Sequence, residues 1–196
     1  MNRNKICKVI FGTLLLFISS HSYGQQDNLW ILSTQNSLLF NVGKVEVKTD
    51  YRFGPSDRAK SSICDSSGNL KLYTNGDSLY NSKNEMIENG SNIGGHGRGN
   101  VKILEMPNSP NKYLIVCADV PMGGAAVKSR GLTYSIVEYS AKNPAGIVSK
   151  KMVPILPGKD IEFSIIKMTN DSVYWLAART LKSSFDSVYI FKIDGT

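Results

Sequence analysis

Histidine and cysteine are scarce in this chain, with two of the first and three of the second in 196 residues. Cys7 and His21 lie in an N-terminal stretch that reads as a removable leader, so the mature chain keeps only Cys64, Cys117 and His96. Two cysteines and one histidine cannot by themselves build a tetrahedral zinc site. A Ser-His-Asp or Cys-His arrangement would have to run through His96. Nothing after the leader is apolar for long enough to span a bilayer as a helix. No window of a dozen residues keeps a 3.6-residue apolar period free of Gly and Pro, so long amphipathic helices are excluded. A large excess of one charge is missing too. The formal charge is +7, but Arg3, Lys5 and Lys8 belong to the leader, and without them it is +4 against 16 acids. A balance that small makes no case for nucleic acid.

Residues 1–24 have the three parts of a secretory signal peptide. Arg3, Lys5 and Lys8 form a positive start with no acid among them. Val9 to Ile18 is an apolar core too short for a stable membrane-spanning helix. Ser22-Tyr23-Gly24 places small residues at the two positions a signal peptidase reads. The alternative is an uncleaved anchor, but the core is short and a polar stretch follows at once. The expected mature domain is therefore 25–196, exported to the periplasm, the cell surface or beyond. Export permits a disulfide between Cys64 and Cys117. The competing expectation is that each is a small buried hydrophobe, because both sit in apolar strand-like runs.

What the mature chain does have is period-two alternation. Val45-Glu46-Val47-Lys48, Leu70-Lys71-Leu72-Tyr73-Thr74 and Ile161-Glu162-Phe163-Ser164-Ile165 alternate apolar with polar, as strands with one covered face do. Tyr113-Leu114-Ile115-Val116-Cys117 is apolar throughout, as a strand buried on both faces would be. Clusters of Gly, Asn, Asp, Ser and Pro separate these runs and predict hairpins turning at 65–69, 108–111 and 169–172. In each, a strand carrying an aromatic follows the turn. The turns begin about 40 to 60 residues apart, the scale of one four-stranded propeller blade. The predicted fold is all-β: antiparallel four-stranded blades of a β-propeller, with a β-sandwich as the alternative.

Cys64-Asp65-Ser66-Ser67-Gly68-Asn69-Leu70-Lys71-Leu72-Tyr73-Thr74-Asn75-Gly76 is continued by Leu79-Tyr80-Asn81, Met86 and Asn89-Gly90. This run resembles a signature in the N-terminal β-propeller-like region of large exported Bacteroidetes proteins. That family is the gliding-motility-associated kind, often built with PKD-type domains and a type IX sorting tail. Trp30 with Leu39-Phe40-Asn41, Ser109-Pro110-Asn111-Lys112-Tyr113 and Gly131-Leu132-Thr133-Tyr134-Ser135-Ile136-Val137 agree with it, so the likeness covers most of 28–180. The resemblance implies an exported repeat domain at the cell surface or released. It brings no catalytic set. The chain carries neither a PKD-like module nor a sorting tail. A closed seven-bladed ring needs roughly 280 residues at blade length. The expectation is therefore an incomplete ring, the N-terminal part of a longer protein.

The Gly-rich stretch Gly94-Gly95-His96-Gly97-Arg98-Gly99 has amides and a cation for an anion, but a strand follows it where a phosphate loop needs a helix. His96 and Arg98 are accordingly expected to be loop residues in contact with a partner, not catalytic ones. Asp65, Ser67 and Asn69 suggest a calcium loop or a stretched Asp-box, but the closing Glu is missing, and a side-chain-capped turn fits better. Lys142, Lys150, Lys151, Lys159 and Lys167 do not cluster with aromatics and read as solvated surface. No metal ligand set and no cofactor motif emerges. The function expected is a non-catalytic binding or scaffold module for a protein or glycan partner, met by segments 94–100 and 121–130. The alternatives are a glycan-acting propeller enzyme, which needs two carboxylates around one pocket, and the sensor region of a membrane receptor.

Overall fold

The computed structural model describes residues 29–31, 36–41, 43–49, 60–95, 99–120, 128–158, 160–168, 173–181 and 187–195. Every regular element in them is a strand. The first sheet holds β1 (Leu29–Ile31), β2 (Ser37–Asn41) and β3 (Lys44–Lys48). The second holds β4 (Ser61–Cys64), β5 (Leu70–Thr74) and β6 (Leu79–Asn81). The third holds β7 (Asn100–Glu105), β8 (Lys112–Asp119), β9 (Gly131–Glu138) and β10 (Ile147–Pro157). The fourth holds β11 (Ile161–Lys167), β12 (Tyr174–Thr180) and β13 (Val188–Ile193). All pairings between these strands are antiparallel and join neighbours in sequence, so each sheet is a simple meander, and none closes on itself.

Turn chemistry explains where strands stop. Between β4 and β5 the Asp65 carboxylate accepts from the Ser67 and Asn69 amides, both at 2.9 Å, and Gly68 takes a positive φ. This is the capped turn read from the sequence, and the Asn69 amide above all holds the Asp65 carboxyl below its ordinary range. Between β7 and β8, Asn108 and Asn111 both adopt positive φ, which asparagine tolerates better than most residues. The predicted 169–172 turn lies outside the described residues. The strands beside it pair as expected, with Lys167 opposite Tyr174. These three hairpins are the first hairpins of the second, third and fourth sheets.

The third sheet is the centre of the molecule. Its Val101, Ile103, Tyr113, Ile115 and Cys117 face Ile63, Leu72, Leu79, Ile87 and Ile93 on the second-sheet side. Its Leu104, Leu114, Val116, Ala118 and Ile136 face Ile161, Phe163, Tyr174 and Leu176 of the fourth. Strand β8 is therefore buried on both faces, with alternate residues in two different cores, as its unbroken apolar run predicts. A sheet covered on both sides is not half of a two-layer sandwich.

Successive sheets meet at or beside their first strands: β1 touches β4, β4 touches β7, and β11 touches both β7 and β8. Side chains stitch each junction. The Ser62 hydroxyl donates to the Leu29 carbonyl at 2.7 Å. The Ile103 amide donates to Ser61 Oγ at 3.1 Å. The Asn100 amide group donates to the Phe163 carbonyl at 3.4 Å. Each satisfies a backbone polar group on a strand edge that has no sheet partner on that side.

Candidate binding site

Strand direction sorts the connections onto two ends. The turns after Cys64, Glu105 and Lys167 share one end. The segments that precede β7 and follow β8 lie at the other, because Asn100 pairs with Ala118 and Asp119 with Gly131. Gly99, Val120 and Arg130 therefore lie at one end of the third sheet, and β10 finishes there too, with Pro157 opposite Gly131.

Asp119 sits at that end. Its side chain is 7% exposed. Oδ2 accepts from the Arg130 amide at 3.2 Å, with the Arg130 guanidinium Nε at 4.0 Å. Oδ1 is buried with no hydrogen-bond partner among the described residues. Leaving a carboxylate oxygen buried and unmatched costs free energy, and such groups concentrate where a protein does something. Ser129 braces the same corner, donating to the Asp119 carbonyl at 2.5 Å while accepting from the Gly131 amide at 3.1 Å. Asp119 is not among the residues singled out from the sequence. Its only sign there is its place at the end of an apolar run, which does not encode its burial, since that comes from pairing with β9.

Gly94 and Gly95 lie over this corner, and they do so through fixed contacts. The Gly95 amide donates to the Gly76 carbonyl at 2.8 Å, and a Cβ on Gly95 would stand 2.4 Å from that same oxygen. Gly94 has φ +95, and a Cβ there would come within 3.3 Å of Thr133 Oγ1 and 3.6 Å of Met152. Met152 sits at a bulge in β10 with φ +51, its amide held by Ser135 Oγ at 3.0 Å. Part of the glycine cluster thus serves close packing, not mobility. His96 and Arg98 lie outside the described residues. The chain leads to them from Gly95 and away from them at Gly99, beside the corner that Asp119 occupies.

Cys64 and Cys117 are both buried, and no disulfide joins them. Cys117 lies in the core between the second and third sheets, and Cys64 is not part of that cluster. Asp65, next to Cys64, acts electrostatically on Tyr113, and Cys117 is four residues further along β8, about 13 Å at strand rise. Burial first, and then the Asp119 charge, push the Cys117 thiol up to about 12. It is therefore a poor nucleophile and metal ligand at neutral pH. Among the described residues no group of three or more His, Cys, Asp or Glu side chains gathers as a metal site. No helix among them is long and apolar enough to cross a membrane.

The outermost sheets each show an apolar face. On the first sheet Trp30, Val45 and Val47 are exposed, and Trp30 packs on Phe40 with ring centres 5.0 Å apart. On the fourth, Ile166, Trp175, Val188 and Ile190 are exposed on the side away from the third sheet. Compared with protein-family models, curated proteins and solved structures, the chain matches none.

Proposed function

We propose that the chain is an exported, non-catalytic binding or scaffold module built from β-propeller-like blades. Its partner, a protein or a glycan, would be met by segments 94–100 and 121–130, at the end of the third sheet where Asn100 and Asp119 lie. The single observation that carries this reading is Asp119 itself, a buried carboxylate at that end with one oxygen unmatched among the described residues. Loops held by a rigid sheet frame are where binding residues concentrate. The propeller part rests on the serial contact of first strands β1, β4, β7 and β11, since innermost strands of neighbouring blades meet in that way. The exposed faces of the first and fourth sheets fit an incomplete ring with room for further blades. Export rests on the 1–24 pattern, and the gliding-motility association rests on the quoted motifs. Asp119 also gives the hydrolytic alternative its one concrete support, because a buried carboxylate is a start on acid–base chemistry.

The test compares the purified chain with a His96→Ala, Arg98→Ala double variant on a glycan array and on an immobilised cell-surface protein fraction. Saturable binding that the double variant loses, with melting unchanged, is the expected result. Hydrolysis of a bound glycan that His96→Ala abolishes, with folding intact, makes the protein an enzyme and overturns the reading. N-terminal sequencing of secreted protein is expected to begin near Gln25, and recovery of Met1 in a soluble cytoplasmic form contradicts export.

A further inference from the structure

A second site lies away from Asp119, between the third and fourth sheets. The two sheets are joined at β7 and β11 and open toward β10 and β13. Large side chains fill part of this wedge and leave a cavity of about 290 Å³. Its floor is Leu114, Val116 and Ile136 from the third sheet and Leu176 and Phe191 from the fourth. The size is near the lower end of small-molecule sites, about 300–1,000 Å³. It suits one compact molecule and is too small for a folded peptide element.

The polar groups at the cavity are few, and they come from adjacent strands. Lys150 of β10 pairs in register with Ile136 of β9, so its stem lies on the face that looks into the wedge. Tyr134 is two residues from Ile136 on that same face and also lines the cavity. Lys192 and Asp194 stand at the far rim, paired with each other at 3.4 Å, so their charges largely offset one another. Lys150 also acts on Glu138, a weak and exposed competitor on its own sheet. The result is an apolar cavity with an exposed lysine and a half-buried tyrosine on one wall. The Lys150 stem can cover the rim while its ammonium stays in water, where it can meet an anion seated at the mouth.

We propose that this cavity binds a small amphipathic monocarboxylic acid, apolar body inward and carboxylate on Lys150 and Tyr134. A medium-chain fatty acid has the required shape and charge. The site is independent of the loop end, so its failure and the failure of the partner-binding reading are distinguishable.

The experiment titrates the full chain with decanoate below its micellar concentration, by calorimetry and by methyl NMR. One saturable site is expected. Methyl shifts should fall on Leu114, Ile136, Ile155 and Leu176 and spare Ile87 and Ile93. Lys150→Met should weaken decanoate about tenfold and leave decan-1-ol unchanged. Ile155→Trp, which fills the cavity from its edge, should abolish binding of both. If that variant fails to fold, the methyl map of the unaltered chain still decides. Absence of a saturable site, shifts centred on Ile87 and Ile93, or equal affinity for decanoate in Lys150→Met each overturns the proposal.

Discussion

The two interfaces of the central sheet are built from similar strands and finish differently. On the second-sheet side an extra segment closes the wedge. After β6 the chain runs back along the interface, with bridges from Met86 to Tyr80 and from Glu88 to Ile147. It drops Ile87 and Ile93 into the core at 1% and 0% exposure. The amides of Leu79, Ile87, Gly90, Ile93 and Gly95 all bond backbone carbonyls along the way, and the Glu88 carbonyl accepts from Val148. On the fourth-sheet side no comparable segment intervenes among the described residues, and the cavity remains. Sheets that meet at their first strands diverge outward, so something must fill the outer gap. One interface fills it with its own chain. The other leaves room for a guest.

Variants can sharpen that contrast. The largest effect belongs to Ile93→Ala. A fully buried isoleucine lost from a sealed core costs about 2–5 kcal/mol. Ile155→Ala, at the open cavity, should cost under about 1.5 kcal/mol. Urea unfolding of both variants checks the difference, and equal losses would erase the distinction between the interfaces.

Gly95→Ala comes next. Its Cβ would collide with the Gly76 carbonyl, a backbone atom that cannot swing away. The expected loss is about 3 kcal/mol from overpacking. Gly158→Ala, between the third and fourth sheets, meets nothing within 4 Å and bears only the strain of φ +70. It should lose about 1–2 kcal/mol. Thermal melts of the pair separate clash from strain.

Cys117→Ala removes a small side chain from the sealed interface and should cost about 1 kcal/mol. In native protein the Cys117 thiol, raised to about 12, should resist thiol reagents at neutral pH. After unfolding without reductant, both Cys64 and Cys117 should react. Failure of both to react would reveal a bridge.

The smallest effect is electrostatic and lies outside both interfaces. Lys48 and Lys44, at 2.8 and 2.9 Å, draw the Glu46 carboxyl down to about 2. A carboxyl depressed on folding adds stability above its ordinary range and loses it as pH falls toward about 2. The pair is exposed, so the contribution is slight. An NMR titration of Glu46 should show a midpoint near 2, and a Lys44→Ala, Lys48→Ala double variant should return it to the usual carboxylate range.

Much of the frame was legible in the residues. The apolar run 113–117 predicted a strand buried on both faces, and the Asp65 and Asn108 clusters predicted their turns. Other parts were hidden for physical reasons. Strand β10 carries Lys150, Lys151, Pro154 and Pro157, which read as surface and breaks. It is an edge strand with register shifts, where prolines and charges are tolerated. The closing segment 82–95 carries no strand or helix pattern, because its apolar residues are isolated among asparagines and glycines. Asn84, Asn89 and Asn92 take positive φ there, so the polar letters serve the backbone while Ile87 and Ile93 serve the core. Of the candidate site, the two segments were named from sequence. Asp119 was not, because its burial depends on pairing across β9, a contact no local pattern encodes.

The account stands most directly on the serial order of the four sheets. Double electron–electron resonance between pairs of spin labels on Val47, Lys83, Lys151 and Val188, each on or just after the last strand of one sheet, measures that order. The stack predicts that the Val47–Val188 pair, from the first and fourth sheets, gives the longest distance of the set. A Val47–Val188 distance as short as those between adjacent sheets would mean that the first and fourth sheets meet, and would contradict an open series.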